Sequence, residues 1–126
     1  MKNKRPITKK EEIKSFGHAF HGIFSVAGSE PHMQFHFVAF ILVLAAGFIF
    51  GLSECEWLAI LLVSGMVFVT EMINSAIEML SDVITTDHHP GIGRAKDIAA
   101  GAVLVAAIIS VITGVVIFLP RLIAWF

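Results

Sequence analysis

Three long apolar stretches dominate the sequence, at about residues 34–52, 57–80 and 98–119. Each is close to the ~20 residues that an α-helix needs to cross the ~30 Å hydrocarbon core of a bilayer. With 56% hydrophobic residues, a chain of 126 residues is too apolar for a soluble domain and too short for two domains. The sequence therefore predicts an all-α integral membrane protein in which residues 1–126 form one domain with three transmembrane helices.

The distribution of basic residues predicts the orientation of these spans. Six of the nine Lys and Arg residues lie in residues 1–14. The 82–97 loop also contains Arg94 and Lys96, whereas the first loop, SECE at residues 53–56, has no basic residue. The positive-inside rule therefore places the N-terminus and the 82–97 loop in the cytoplasm, and only Arg121 runs against this orientation. No apolar run with a cleavage site follows the basic start, so we expect no signal peptide to be removed.

Residues 9–28, between the basic start and the first span, show a helical pattern. Apolar side chains recur at helical spacing, with lysines and histidines elsewhere around the turn: Ile13, Phe16, Phe20, Ile23, Phe24 and Ala27. This pattern predicts an amphipathic helix that lies along the cytoplasmic interface of the membrane and ends at Gly28 and Pro31.

A stripe of polar residues interrupts the second span, in the segment EMINSAIEMLSD. Its members are Glu71, Asn74, Ser75, Glu78 and Asp82. At ~100° per residue they fall within roughly a 100° arc of one helix face. A carboxylate in hydrocarbon costs at least about 2.5 kcal/mol, so such groups normally face a protein interior or a wet cavity and mark a function. The stripe therefore predicts a functional site within this helix.

Depth in the membrane separates the carboxylates of the stripe. If the helix enters at Trp57, Glu71 lies about 21 Å into the membrane, and a desolvated carboxylate suits a general base for a weakly acidic proton. Glu78, nearer water, is better placed to hold a hard cation such as Mg²⁺, which prefers carboxylate and phosphate oxygens. Glu30 and the Lys96–Asp97 pair are expected at the same membrane face. Since a lysine and a metal are typical of phosphate chemistry, a soluble nucleotide and a lipid could meet there.

The string E-x-x-N-S-A-I-E-x-x-x-D at residues 71–82, followed by AKDIAAGAVL at residues 95–104, resembles the small prokaryotic diacylglycerol kinase and undecaprenol kinase family. The resemblance covers nearly the whole chain and includes an acidic residue at position 30. Four further segments are more similar to the undecaprenol kinases of Gram-positive bacteria: MQFH at 33–36, EW at 56–57, DHHP at 87–90 and IFLPRL at 117–122. The resemblance implies a lipid kinase of the bacterial cell membrane that transfers the γ-phosphate of ATP to undecaprenol, with diacylglycerol as the alternative acceptor.

The same resemblance implies an assembly and roles for individual residues. The expected protein is a homotrimer of three-span subunits with an N-terminal surface helix, and its active sites are shared between neighbouring subunits. Carried over by position, Glu71 is the general base, Asn74 supports the site, and Glu30 and Glu78 bind Mg²⁺ next to ATP. The expected nucleotide contacts are Asp87, His88, His89, Lys96 and Asp97, with His18 on the surface helix as a further candidate.

Other interpretations of these residues remain. A small oligomeric ion-conducting or transport protein could use Glu71 and Glu78 as a relay, but between Leu58 and Met66 only Ser64 would continue the polar path. A non-catalytic structural relative would have no need for the intact set of site residues. We interpret the histidines at 18, 21 and 36 as interfacial or packing residues, and His88–His89 as a polar loop, with no zinc and no nucleic acid bound. The chain has no P-loop or protein-kinase motif, so a nucleotide site must be built differently.

Overall fold

The computed structural model describes residues 5–126, which form four α-helices: α1 (Lys9–Ser29), α2 (Pro31–Phe50), α3 (Glu54–Ile84) and α4 (Pro90–Trp125). The last three are each long and apolar enough to cross a membrane. The prediction of an all-helical chain with three such helices is therefore confirmed. Lys2 and Lys4 of the basic start lie outside the described residues.

Local signals set the helix ends and explain where they differ from the predicted spans. Helix α2 stops at Gly51, whose φ of 68° is a left-handed conformation that glycine adopts without strain. The SECE segment is mostly the first turn of α3 and not a loop, because Ser53 caps the helix and Glu56 completes a capping box. The second loop is shorter than the predicted 82–97, because His89 caps α4 and Pro90 stands in its first turn.

Helices α3 and α4 form the main packed unit, a helical hairpin joined by residues 85–89. Helix α2 packs against α3 over a smaller area, and α1 touches α2 and α3 only lightly. Ala99 and Ala106 are buried in α4, where small side chains let two helix backbones approach closely. The Ser110 hydroxyl also donates a hydrogen bond to the Val63 carbonyl oxygen, at 3.1 Å. The remaining apolar side chains mostly point outward, as expected of helices that face lipid or another subunit.

A bidentate ion pair joins the start of α3 to the end of α4, at the end of the hairpin opposite the 85–89 loop. Arg121 Nη2 lies 2.7 Å from Glu56 Oε2, and Arg121 Nη1 lies 3.1 Å from Glu56 Oε1. Arg121 Nη1 also donates to the Ile117 carbonyl oxygen at 2.9 Å. The basic residue that runs against the predicted orientation is thus paired with a carboxylate.

Gly47, near the end of α2, leaves room for the Trp57 indole at the start of α3. It is buried against the Trp57 indole, and a Cβ atom built on it would lie 2.5 Å from Trp57 Cη2 and 3.0 Å from two further ring atoms. The indole also packs on Phe48, with ring centroids 4.9 Å apart, which limits where it can move. Only glycine fits at this crossing without displacing the tryptophan.

Replacing Gly47 with alanine is therefore expected to lower the free energy of unfolding by about 1–3 kcal/mol, the usual cost of overpacking. The measurement is unfolding of the purified protein in detergent, followed by circular dichroism. Gly65→Ala is the matched control, since a Cβ there meets nothing within 4 Å. This control should be neutral or should stabilise by about 0.5–1 kcal/mol, because alanine is the better helix former. Equal effects of the two substitutions would contradict the close contact.

Candidate functional site

The polar stripe on α3 runs from the buried middle of the bundle to its surface. Glu71, Asn74 and Ser75 are buried, with 3%, 8% and 1% of their surface exposed. Further along the helix, Glu78 is half-buried and Asp82 is exposed. A carboxylate inside an apolar helix bundle is thus connected along one helix to water-accessible polar groups.

His36 on α2 faces the buried end of this stripe. Its Nε2 atom lies 3.8 Å from Oε2 of Glu71, and only 18% of its side chain is exposed. The neighbouring Phe35 ring packs edge-on against it, with centroids 5.7 Å apart. The sequence alone favours an interfacial or packing role for His36 and does not predict this contact. The one available signal was its ionisable side chain inside a predicted span, which is by itself a reason to suspect function.

Two polar atoms next to Glu71 lack partners within the described part of the chain. Asn74 Oδ1 and Ser75 Oγ are buried and make no hydrogen bond to any residue in 5–126. Leaving a buried polar atom unpaired costs about 1–3 kcal/mol, so native proteins rarely do so without a reason. One copy of residues 5–126 therefore leaves the polar stripe chemically incomplete.

A polar pocket of about 300 Å³ lies where α3 ends and α4 begins. It brings together four of the nucleotide contacts that the family resemblance implies, namely Asp87, His88, His89 and Lys96. The stripe residue Asp82 lies on the wall of the same pocket, where its Oδ1 atom is 3.6 Å from Lys96 Nζ. The Lys96 side chain is 39% exposed and that of Asp82 is 71% exposed, so this is a solvent-exposed ion pair.

His89 has a definite structural role at this pocket. Its Nδ1 atom accepts hydrogen bonds from the backbone N–H groups of Gly91 at 3.1 Å and Ile92 at 3.4 Å, and so caps α4. Because Nδ1 is the acceptor, the ring carries its proton on Nε2 and has a donor there. Together with the Lys96 ammonium and the positive end of the α4 dipole, this donor suits an anionic ligand. The pocket therefore combines hydrogen-bond donors and one cation with the carboxylates of Asp82 and Asp87.

The other predicted site residues are not joined to this pocket by side-chain contacts. Within residues 5–126, the side chains of His18, Glu30, Glu78 and Asp97 make no hydrogen bond or ion pair with another described residue. No three His, Cys, Asp or Glu side chains in this range lie close enough to hold a metal by themselves. A Mg²⁺ site does not require three protein carboxylates, because Mg²⁺ takes one or two of them and completes its shell with phosphate oxygens and water.

An apolar groove of about 540 Å³ runs between α2, α3 and α4. One end lies at Phe35 and His36, and the other end lies near Leu122. Its walls are almost entirely apolar side chains, with the hydroxyls of Ser64 and Ser110 as the exceptions besides His36. The His36 side chain therefore borders the apolar groove and also faces the Glu71 carboxylate.

Comparison with known proteins identifies the family. Residues 17–118 match the model of the family described as prokaryotic diacylglycerol kinase. The chain is 50% identical over 110 residues to the undecaprenol kinase of Bacillus subtilis (strain 168). The aligned segment covers 87% of this chain and 89% of that protein. It is 32% identical over 113 residues to the diacylglycerol kinase of Synechocystis sp., covering 89% of this chain and 65% of that one.

A third relative matches over a shorter segment. The diacylglycerol kinase of Escherichia coli (strain K12) is 46% identical over 56 residues, which is 43% of this chain and 46% of that protein. The family match spans most of the chain, and the relatives are kinases, which favours an enzyme over the ion-conducting interpretation. The chain belongs to the prokaryotic diacylglycerol kinase family and is a lipid kinase.

Proposed function

We propose that this protein transfers the γ-phosphate of ATP to the hydroxyl of undecaprenol in the bacterial cell membrane. The observation that carries the proposal is the buried Glu71 carboxylate on the same helix face that leads to the pocket at Lys96. A base in the apolar part of the bundle suits a lipid alcohol, and a polar pocket that contains Lys96 at the helix ends suits a nucleotide. The 50% identity to the Bacillus subtilis undecaprenol kinase supports undecaprenol as the acceptor.

In this mechanism Glu71 is the general base. It takes the proton of the lipid hydroxyl as the hydroxyl oxygen attacks the γ-phosphorus, and ADP leaves. Asn74 supports the site one turn further along α3. Glu71 and Asp82 are about 16 Å apart along the helix axis at ~1.5 Å per residue, so ATP binds at the pocket with its phosphate chain directed along the stripe toward Glu71.

The remaining candidate residues serve the nucleotide in this proposal. Lys96 pairs with phosphate oxygens as a point charge, and Asp87, His88, His89 and Asp97 border the nucleotide, with His18 as a further contact from α1. Glu30 and Glu78 would hold Mg²⁺, which offsets the negative charge of the phosphates when it is bound. Glu78 is suited to this because it lies between Glu71 and Asp82 on the stripe and is half-buried.

We further propose a homotrimer with active sites shared between subunits. The unpartnered Asn74 Oδ1 and Ser75 Oγ atoms support it, because groups from a neighbouring subunit would complete the stripe. The whole chain then forms one membrane-embedded domain, with the N-terminus and the 85–89 loop in the cytoplasm. Helix α1 lies along the cytoplasmic interface, since no residue within Lys9–Ser29 is buried and Phe16, Phe20 and Phe24 are exposed.

A competition assay tests the choice of acceptor. Purified protein in mixed micelles receives Mg²⁺ and γ-labelled ATP with equal amounts of undecaprenol and diacylglycerol, and the labelled lipids are then separated. We expect label chiefly in the prenyl phosphate. Diacylglycerol is the second candidate because two of the relatives are diacylglycerol kinases, and label chiefly in phosphatidic acid would replace undecaprenol with it. Label in neither lipid, from a folded protein, would overturn both.

A further inference from the structure

His36 Nε2 and Glu71 Oε2 are 3.8 Å apart, a distance that bears on how the hydroxyl of the lipid acceptor is bound. A direct N–H···O hydrogen bond is about 2.7–3.2 Å long, so these two atoms are too far apart for a strong one. They are close enough, however, for one oxygen atom to lie within about 2.8 Å of both. The pair thus has the spacing of two groups that share a ligand oxygen.

The chemistry of the two groups is complementary toward a hydroxyl. A hydroxyl donates one hydrogen bond and accepts up to two, an ionised carboxylate only accepts, and an imidazole nitrogen that carries a proton donates. A hydroxyl between them can therefore accept from His36 Nε2–H while it donates its own proton to Glu71. Water would fit the same contacts, whereas the adjoining apolar groove suits an alcohol that carries an apolar chain.

The apolar groove supplies that route. His36 lies at one end of it, followed on α2 by Ala39, Phe40 and Val43, and the groove continues along α4 toward Leu122. From Ala107 to Leu122, α4 rises about 22 Å along the groove at ~1.5 Å per residue, which suits a single extended hydrocarbon chain. A chain in this groove would present its polar end at His36, next to the buried Glu71.

We propose that His36 is a second catalytic residue, whose Nε2–H donates a hydrogen bond to the hydroxyl oxygen of the lipid acceptor while Glu71 receives the hydroxyl proton. This inference rests on the proposed lipid-alcohol kinase function. In the step, the acceptor O–H bond breaks and its proton moves to the Glu71 carboxylate. The oxygen forms a bond to the γ-phosphorus, and the bond from that phosphorus to the β–γ bridging oxygen breaks to release ADP. The His36 donor stabilises the negative charge that develops on the acceptor oxygen.

His36→Met and His36→Gln separate this role from packing. Methionine fills similar space without a donor, whereas the glutamine amide keeps an N–H near the position of Nε2. We expect His36→Met to lower kcat about 10- to 100-fold with the KM for ATP unchanged, and His36→Gln to restore activity to within about fivefold of the wild type. His32→Met is the matched control, one turn earlier on α2 and exposed, and should leave kcat unchanged.

A double-mutant cycle with Glu71→Gln tests whether both groups act on one hydroxyl. If they do, His36→Met in the Glu71→Gln background should lower the residual rate by less than about twofold. Wild-type kcat in His36→Met would overturn the inference. Equal losses in the Met and Gln variants together with a lowered thermal midpoint would also overturn it, because they indicate a packing role. A different result would overturn the proposed function itself, namely that the wild-type protein phosphorylates neither undecaprenol nor diacylglycerol.

Discussion

Replacing Glu71 with glutamine is expected to lower kcat for lipid phosphorylation by about 10² to 10⁴, the usual contribution of a general base. Glutamine keeps the shape of the side chain and its hydrogen-bonding oxygen but cannot take the proton of the acceptor. Because Glu71 is buried within the bundle, no bulk water replaces it as a base. The measurement is steady-state transfer of γ-labelled phosphate at saturating ATP and lipid, together with ATP binding by the variant, which should be unchanged.

Glu54→Gln is the control for this experiment. Glu54 is exposed in the first turn of α3, at the far end of the helix from the pocket, so the same change of charge there should leave kcat unaltered. The two variants should also unfold at similar temperatures, since glutamine at 71 has nearly the shape of glutamate and creates no cavity. A Glu71→Gln enzyme with more than about a tenth of the wild-type kcat would contradict the general-base role.

Replacing Lys96 with methionine is expected to lower kcat/KM for ATP by about 10- to 150-fold. Hydrogen bonds to charged groups contribute about 1.5–3 kcal/mol, which corresponds to that range. The ammonium lies at the polar pocket, 3.6 Å from Asp82 Oδ1, and His89 lines the same pocket. The KM for the lipid acceptor should stay constant, because the apolar groove has no contact with this lysine. Initial rates over a matrix of ATP and lipid concentrations separate the two constants.

Arg94→Met removes the same charge from the same turn of α4, and Arg94 is exposed and does not line the pocket. It should leave kcat/KM for ATP within about twofold of the wild type if only a local phosphate contact matters. Equal losses in both variants would instead indicate a general attraction of ATP to a basic membrane face. In that case the assignment of Lys96 to the nucleotide would be withdrawn.

Features that depend on neighbours in sequence were predictable from the sequence. The length of the apolar stretches predicted three long helices, and the spacing of Glu71, Asn74 and Ser75 predicted one shared face, which the structure buries. The helix ends were less accurate, because Arg94 and Lys96 were interpreted as loop residues. Charges at a membrane surface do not end a helix, and the His89 cap determines where α4 begins.

Contacts between residues distant in sequence could not be predicted in the same way. The approach of His36 to Glu71 depends on how α2 crosses α3, and no periodicity within either helix encodes that crossing. The pair Arg121–Glu56 joins residues 65 positions apart, although both belong to segments that the family resemblance had singled out. A histidine within a membrane span and an arginine near the end of an apolar helix each need a polar partner, but the sequence alone does not identify that partner.

The Arg121–Glu56 ion pair has a consequence for motion during turnover. The bidentate contact joins α3 and α4 at one end of the hairpin, and the five-residue connection 85–89 joins them at the other end. Because both ends are joined, the two helices cannot easily slide past each other or splay apart. Helix α2 has a smaller contact with α3 and makes no hydrogen-bonded ion pair with it among the described residues, where the nearest charged contact is His36 Nε2 to Glu71 Oε2 at 3.8 Å. We therefore expect α3 and α4 to keep their relative positions during turnover. Helix α2, with Glu30 at its start and His36 on its second turn, is then the element that shifts as lipid enters and product leaves.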